Sequence, residues 1–107
     1  MREITYKKLI RDKIPDIIRT DGKEPITRQA TDDEMPQLLL AKMLEEIEEY
    51  QHSGNVEELA DILEVLKALV AVHKLSWNDF EDLLNKKRAF RGGFERRVYL
   101  IAVKEAT

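Results

Sequence analysis

Glu45-Glu46-Ile47-Glu48-Glu49-Tyr50-Gln51-His52-Ser53-Gly54-Asn55-Val56-Glu57-Glu58-Leu59-Ala60-Asp61 reads as the end of one helix, a break and the start of another. Gly54 stops the first helix, because glycine accepts the left-handed conformation with which helices commonly end. Asn55 suits the N-cap of the second, and Glu58 follows it at the capping-box spacing. So short a connection makes the two helices antiparallel neighbours. The pattern extends the first helix back to Thr31 or Asp32, where Thr31-Asp32-Asp33-Glu34 matches a capping box. Pro36 then falls just beyond the first turn. The second helix continues to about His73.

Outward from this pair the signals are local. Tyr6 to Arg19 reads as an extended entry and a short helix, with Pro15 in the first turn and Asp21-Gly22 as its end. Glu24 to Ala30 reads as extended or as a short edge strand. Ser76, with Asp79 at the capping-box position, opens another helix that ends before Gly92-Gly93. Arg97 to Val103 is rich in β-branched and aromatic residues and reads as a strand that could pair near Ile26. The predicted fold is all-α, with about four helices, an antiparallel pair carrying the acidic motif, and a minor β element near the C-terminus. The 107 residues suit a single domain.

The chain is 43% hydrophobic and 36% charged, too apolar for a disordered chain. It has no cysteine, which excludes a disulfide scaffold, thiolate chemistry and Cys-ligated zinc. Apolar stretches such as 38–41 and 68–72 fall far short of the ~20 residues that span a bilayer. The start at Arg2-Glu3 shows no apolar signal segment. A cytoplasmic protein without a membrane partner is expected.

The net charge of −3 conceals a strong asymmetry. Residues 32–64 carry eleven acids against one base, Lys42, for a net −10 between two net-positive flanks. Such a block argues against a broad nucleic-acid-binding face. Residues 86–97 hold Lys86, Lys87, Arg88, Arg91, Arg96 and Arg97 against Glu95.

Side chains three apart on a helix are neighbours. Glu46 with Glu49 forms one carboxylate pair and Glu58 with Asp61 a second, and both lie near the connection. At about 100° per residue, Glu58 falls inside the apolar stripe with Val65, Leu69 and Val72, and Asp61 at its edge. Glu46 borders the apolar arc beside Leu39. An acid in a buried stripe is costly unless it is paired or metal-bound. A cluster of hard oxygen donors suits Mg²⁺ or Mn²⁺. The bland readings are Glu58 as merely the capping partner of Asn55 and the run 45–49 as a solvated face. Lysine and arginine complement phosphate oxygens. Lys87 and Arg91, four apart on one helix face, are the favoured phosphate contacts, with Arg11 and Lys13 next. Residues and charge together point to metal-assisted hydrolysis of a polyphosphate. No Walker loop, Gly-rich dinucleotide motif or nucleophile triad is present.

Glu45-Glu46-x-x-Glu49 followed by Glu58-x-x-Asp61 resembles the acidic signature of MazG-type all-α nucleotide pyrophosphohydrolases. Tyr6-x-Lys8-Leu9-Ile10-Arg11-Asp12-Lys13-Ile14-Pro15 and Arg91-Gly92-Gly93-Phe94-Glu95 resemble the phosphoribosyl-ATP pyrophosphohydrolase-like subgroup. The resemblance implies a helical homodimer or dimer of dimers. It implies Mg²⁺-dependent hydrolysis of a nucleotide between its α and β phosphates, giving a monophosphate and pyrophosphate. By the same resemblance Glu46, Glu49, Glu58 and Asp61 are the metal ligands, and Glu45 is the water-activating base or a support to the ligands. The substrate is then a nucleoside triphosphate or phosphoribosyl-ATP, with pool cleaning favoured over histidine biosynthesis. The rival expectations are a non-catalytic helical interaction or regulatory module and a nucleic-acid-associated protein using the basic C-terminal segment.

Overall fold

Proline decides where two of the helices begin. It has no N–H to give and its ring crowds the carbonyl four residues back, so it is tolerated only in a helix's first turn. In a computed structural model, which describes residues 2–105, Pro15 and Pro36 both occupy such positions. The described residues form four helices, α1 (Ile14–Thr20), α2 (Met35–Ser53), α3 (Glu57–Val72) and α4 (Trp77–Arg91).

Helix α2 starts later than the Thr31 or Asp32 expected from the sequence. Continuing back to Asp32 would require the N–H that Pro36 lacks. Residues 31–34 instead close a turn on the helix's N-terminal side. Thr31 Oγ1 accepts from the Glu34 N–H at 3.3 Å, and the Glu34 carboxylate accepts from the Thr31 N–H at 2.9 Å. The capping-box contacts therefore form, but on a turn. Arg28 forks onto both oxygens of Glu34 at 2.9 and 2.7 Å and, as the leading cause, pulls its carboxyl down to about 2.

The chain divides into two compact units, Met1–Leu75 and Ser76–Thr107. In the first, α2 ends on Gly54, whose φ of 64° lets its N–H reach the Tyr50 carbonyl at 2.8 Å. Residues 54–56 reverse the chain, and α3 packs back along α2. Leu39, Val65 and Val70 are the buried apolar residues of this pair, and Glu46 is buried with them.

Asn55 caps the start of α3 through its side-chain oxygen, which accepts from the Glu57 N–H at 3.0 Å. Its own N–H is bound by Ser53 Oγ at 3.1 Å, not by Glu58. Glu58 is thus not spent on a capping box.

In the second unit, Ser76 Oγ accepts from the Asp79 N–H at 3.1 Å and caps α4. Trp77 stacks on Phe80 with ring centroids 5.3 Å apart. The β element expected over 97–103 does not form, and no strand occurs among the described residues. Arg97 closes a turn onto Phe94 with φ at 55°, and the apolar residues beyond it, such as Ile101 at 90% exposed, have no ladder partner. The residues around Ile26 form no strand either. β-branched composition reflects fit to a half-buried sheet, and it makes no strand without one.

Candidate metal centre

The reversal at Gly54 brings the C-terminal half of α2 beside the first turns of α3. Glu46, Glu58 and Asp61 each offer a carboxylate oxygen there, all within 4.8 Å of one another. Glu46 is only 7% exposed. Its Oε1 lies 3.5 Å from Lys42 Nζ, and its Oε2 is buried with no hydrogen-bond partner among the described residues. A buried carboxylate oxygen left without a donor is costly, and a bound cation would remove that cost.

The electrostatics reflect this crowding. Burial first, and then the charge of Glu49, push the Glu46 carboxyl above the ordinary range. Loss of solvent pushes Glu58 up as well, reinforced by Glu49, Asp61 and Glu46. Glu49 is exposed and stands outside the three-carboxylate group, yet its charge acts on two of its members.

Glu45 behaves in the opposite way. Its Oε1 accepts from Lys8 Nζ at 2.8 Å and its Oε2 from Lys42 Nζ at 3.3 Å. Lys8 is the main reason its carboxyl sits below the ordinary range. The same bond holds the Lys8 ammonium above its ordinary value. Adjacent residues on one helix therefore differ in kind. Glu45 is a firmly ionised ion-pair partner, and Glu46 is a crowded acid lacking a counter-charge on one oxygen.

The segment before α1 supplies two cations to this region. Lys8 reaches α2 at Glu45, and Arg11 Nη2 donates to Asp61 Oδ1 on α3 at 2.7 Å. Lys7, with φ at 50°, sets the bend that precedes Lys8, a backbone state that costs a non-glycine residue roughly 1–3 kcal/mol. Of the expected phosphate contacts, Arg11 stands at the acid cluster. Lys13 is exposed at the N-terminal end of α1. Lys87 and Arg91 are exposed on α4 of the second unit. There Arg88 pairs with Glu95, and a side chain at Gly93 would collide with both partners.

Two cationic neighbours of the acids lay outside the expected set. Lys42 is the single base of the acidic block and sits three and four residues before Glu45 and Glu46, so helical spacing alone places it beside them. Lys8 comes from 37 residues away, and no local pattern announces its contact.

No described protein family matches the chain. An uncharacterized protein of Mycolicibacterium smegmatis is 46% identical to it over 41 residues, spanning 38% of this chain and 42% of that protein. No solved structure matches.

The donor set is oxygen only, in a chain with no cysteine. It fits a hard divalent cation such as Mg²⁺ or Mn²⁺ and is unsuited to one that prefers thiolate.

Proposed function

We propose that this chain is a Mg²⁺-dependent nucleotide pyrophosphohydrolase of the MazG type, acting between the α and β phosphates of a nucleoside triphosphate or phosphoribosyl-ATP. The observation that carries this reading is the carboxylate group Glu46, Glu58 and Asp61, with one buried Glu46 oxygen lacking a partner. The acidic motif 45–61 and the flanking motifs support the choice of reaction.

In this reading Glu46, Glu58 and Asp61 hold the cation, with Glu49 as a fourth donor. Bound there, Mg²⁺, or Mn²⁺ in its place, supplies positive charge to the phosphate oxygens. Hydrolysis joins a water oxygen to one phosphorus, breaks the bridging P–O bond and releases a monophosphate, pyrophosphate and a proton. Glu45 is ionised and accepts that proton once Lys8 or Lys42 gives up one of its oxygens. Lys87 and Arg91, with Arg11 and Lys13, are the proposed phosphate contacts.

The proposed assembly is a homodimer or a dimer of dimers in the cytoplasm. Leu40, Leu44 and Ile47 on α2 and Leu59 and Leu63 on α3 are exposed large apolar residues. Exposed apolar residues on these two helices support that assembly.

The test is a panel of nucleoside triphosphates and phosphoribosyl-ATP incubated with Mg²⁺, with pyrophosphate release as the readout. At least one substrate is expected to turn over, and Glu58→Gln is expected to lower its rate at least about a hundredfold while the helical circular dichroism stays unchanged. Folded protein that releases pyrophosphate from none of them overturns the reading.

A further inference from the structure

Among the acids of α2 and α3, Glu45, Glu46 and Asp61 are paired with Lys8, Arg11 and Lys42, and Glu49 and Glu58 bear on the same cluster. Lys8 and Arg11 together supply two positive charges, the charge of one divalent cation. Lys42 belongs to α2 itself and its side chain is 16% exposed. Lys8 and Arg11 differ from it. Both come from the non-helical segment before α1, and their ion pairs face water, with side chains 40% and 52% exposed. Such pairs are among the weakest in proteins and give way readily. Arg11 also touches Asp61, one of the three carboxylates placed to share a cation.

We propose that Lys8 and Arg11 are stand-in cations, which neutralise Glu45 and Asp61 while no divalent ion is bound and transfer to the ligand's phosphate oxygens when one is. The proposal rests on the divalent-cation reading above and adds its regulation. A divalent charge beside Asp61 repels a guanidinium held 2.7 Å from that carboxylate. The divalent ion brings the same two positive charges that Lys8 and Arg11 supplied and takes their place, and an arriving polyphosphate brings new negative charge. Arginine's planar fork matches phosphate oxygens, and the lysine ammonium adds a point charge. Departure of Lys8 also frees one oxygen of Glu45. The metal and the anionic ligand are thereby linked, each binding better after the other.

The test uses the full chain, with Mn²⁺ alone and then inorganic pyrophosphate plus Mg²⁺ as probes in titration calorimetry. Removing the stand-in charge in Arg11→Met is expected to tighten Mn²⁺ binding by about three- to fivefold, the scale of an exposed ion pair, and to weaken pyrophosphate binding in Mg²⁺ by a similar factor. Arg11→Lys keeps the charge and should stay close to wild type for Mn²⁺. In the unaltered chain, Mn²⁺ alone should speed hydrogen exchange over residues 8–11, and pyrophosphate should slow it again. Weaker or unchanged Mn²⁺ binding in Arg11→Met, or unchanged exchange over 8–11, overturns the proposal and leaves the cation reading standing. If neither the wild type nor Arg11→Met binds Mn²⁺, the cation reading itself fails and takes this proposal with it.

Discussion

Helices α2 and α4 have similar lengths, 19 and 15 residues, and each is succeeded by a glycine with positive φ. Their ends are both well specified. Yet α2 buries Leu39 and Glu46, whereas α4 buries nothing. The difference lies in the chain beyond each helix. Three residues after α2 the chain is helical again and packed on α2, so one face of α2 leaves water. After α4 come Gly92, Gly93 and a segment with no regular structure. Caps and glycines suffice to make a helix, but a site needs a second helix returning along the first. The returning pair strips solvent from carboxylates, and there burial holds Glu46 and Glu58 above their ordinary range.

This contrast can be broken first at Leu39, which is 3% exposed. Leu39→Ala should cost about 2–5 kcal/mol in a denaturant melt, the usual range for a buried leucine. The matching change on α4, Leu84→Ala at a 54% exposed position, should stay within about 0.5 kcal/mol. Equal effects would show that the two helices are not different in kind.

A smaller effect is expected from Ser76→Ala. Loss of the side-chain acceptor for the Asp79 N–H should cost about 1 kcal/mol, measured as the stability of the helical signal. Helix α4 has local signals and no fully buried residue, so the cap is a larger share of what holds it.

The smallest effect has the opposite sign. Glu46 has its carboxyl raised in the fold, so its ionised form disfavours folding. Stability from this group is present below the ordinary carboxyl range and is lost as pH rises through the raised value. Metal-free Glu46→Gln should therefore melt slightly higher than wild type near pH 7, and the gap should close as the medium is made acidic. A lower melting temperature near neutrality would mean that the Lys42 pair outweighs the burial.

The legible parts of the fold were those with local causes. Ser76 with Asp79, Gly54, and Pro15 in a first turn all read correctly because each acts within a few residues. The helical wheel placed Glu58 and Asp61 at the apolar stripe, and both are half-buried. The start of α2 was misplaced because two rules competed there. The capping box at Thr31 does form, but Pro36 withholds the N–H that would make the turn helical. The strand at 97–103 failed for the opposite reason. Its composition suits a sheet, and whether a sheet exists is not decided locally. The site divides in the same way. Lys42 is placed by helical spacing, whereas the contacts of Lys8 with Glu45 and of Arg11 with Asp61 are set by the tertiary fold.

The connection at residues 54–56 also orders events in time. Loops this short close quickly, and a pair of sequential helices gains its contacts early. The contacts of Lys8 and Arg11 span 37 and 50 residues, reaching α2 at Glu45 and α3 at Asp61. During folding the carboxylates therefore gather before Lys8 and Arg11 arrive. The α2–α3 pair must form against its own charge, and docking of the Lys8–Arg11 segment relieves that repulsion as a late step.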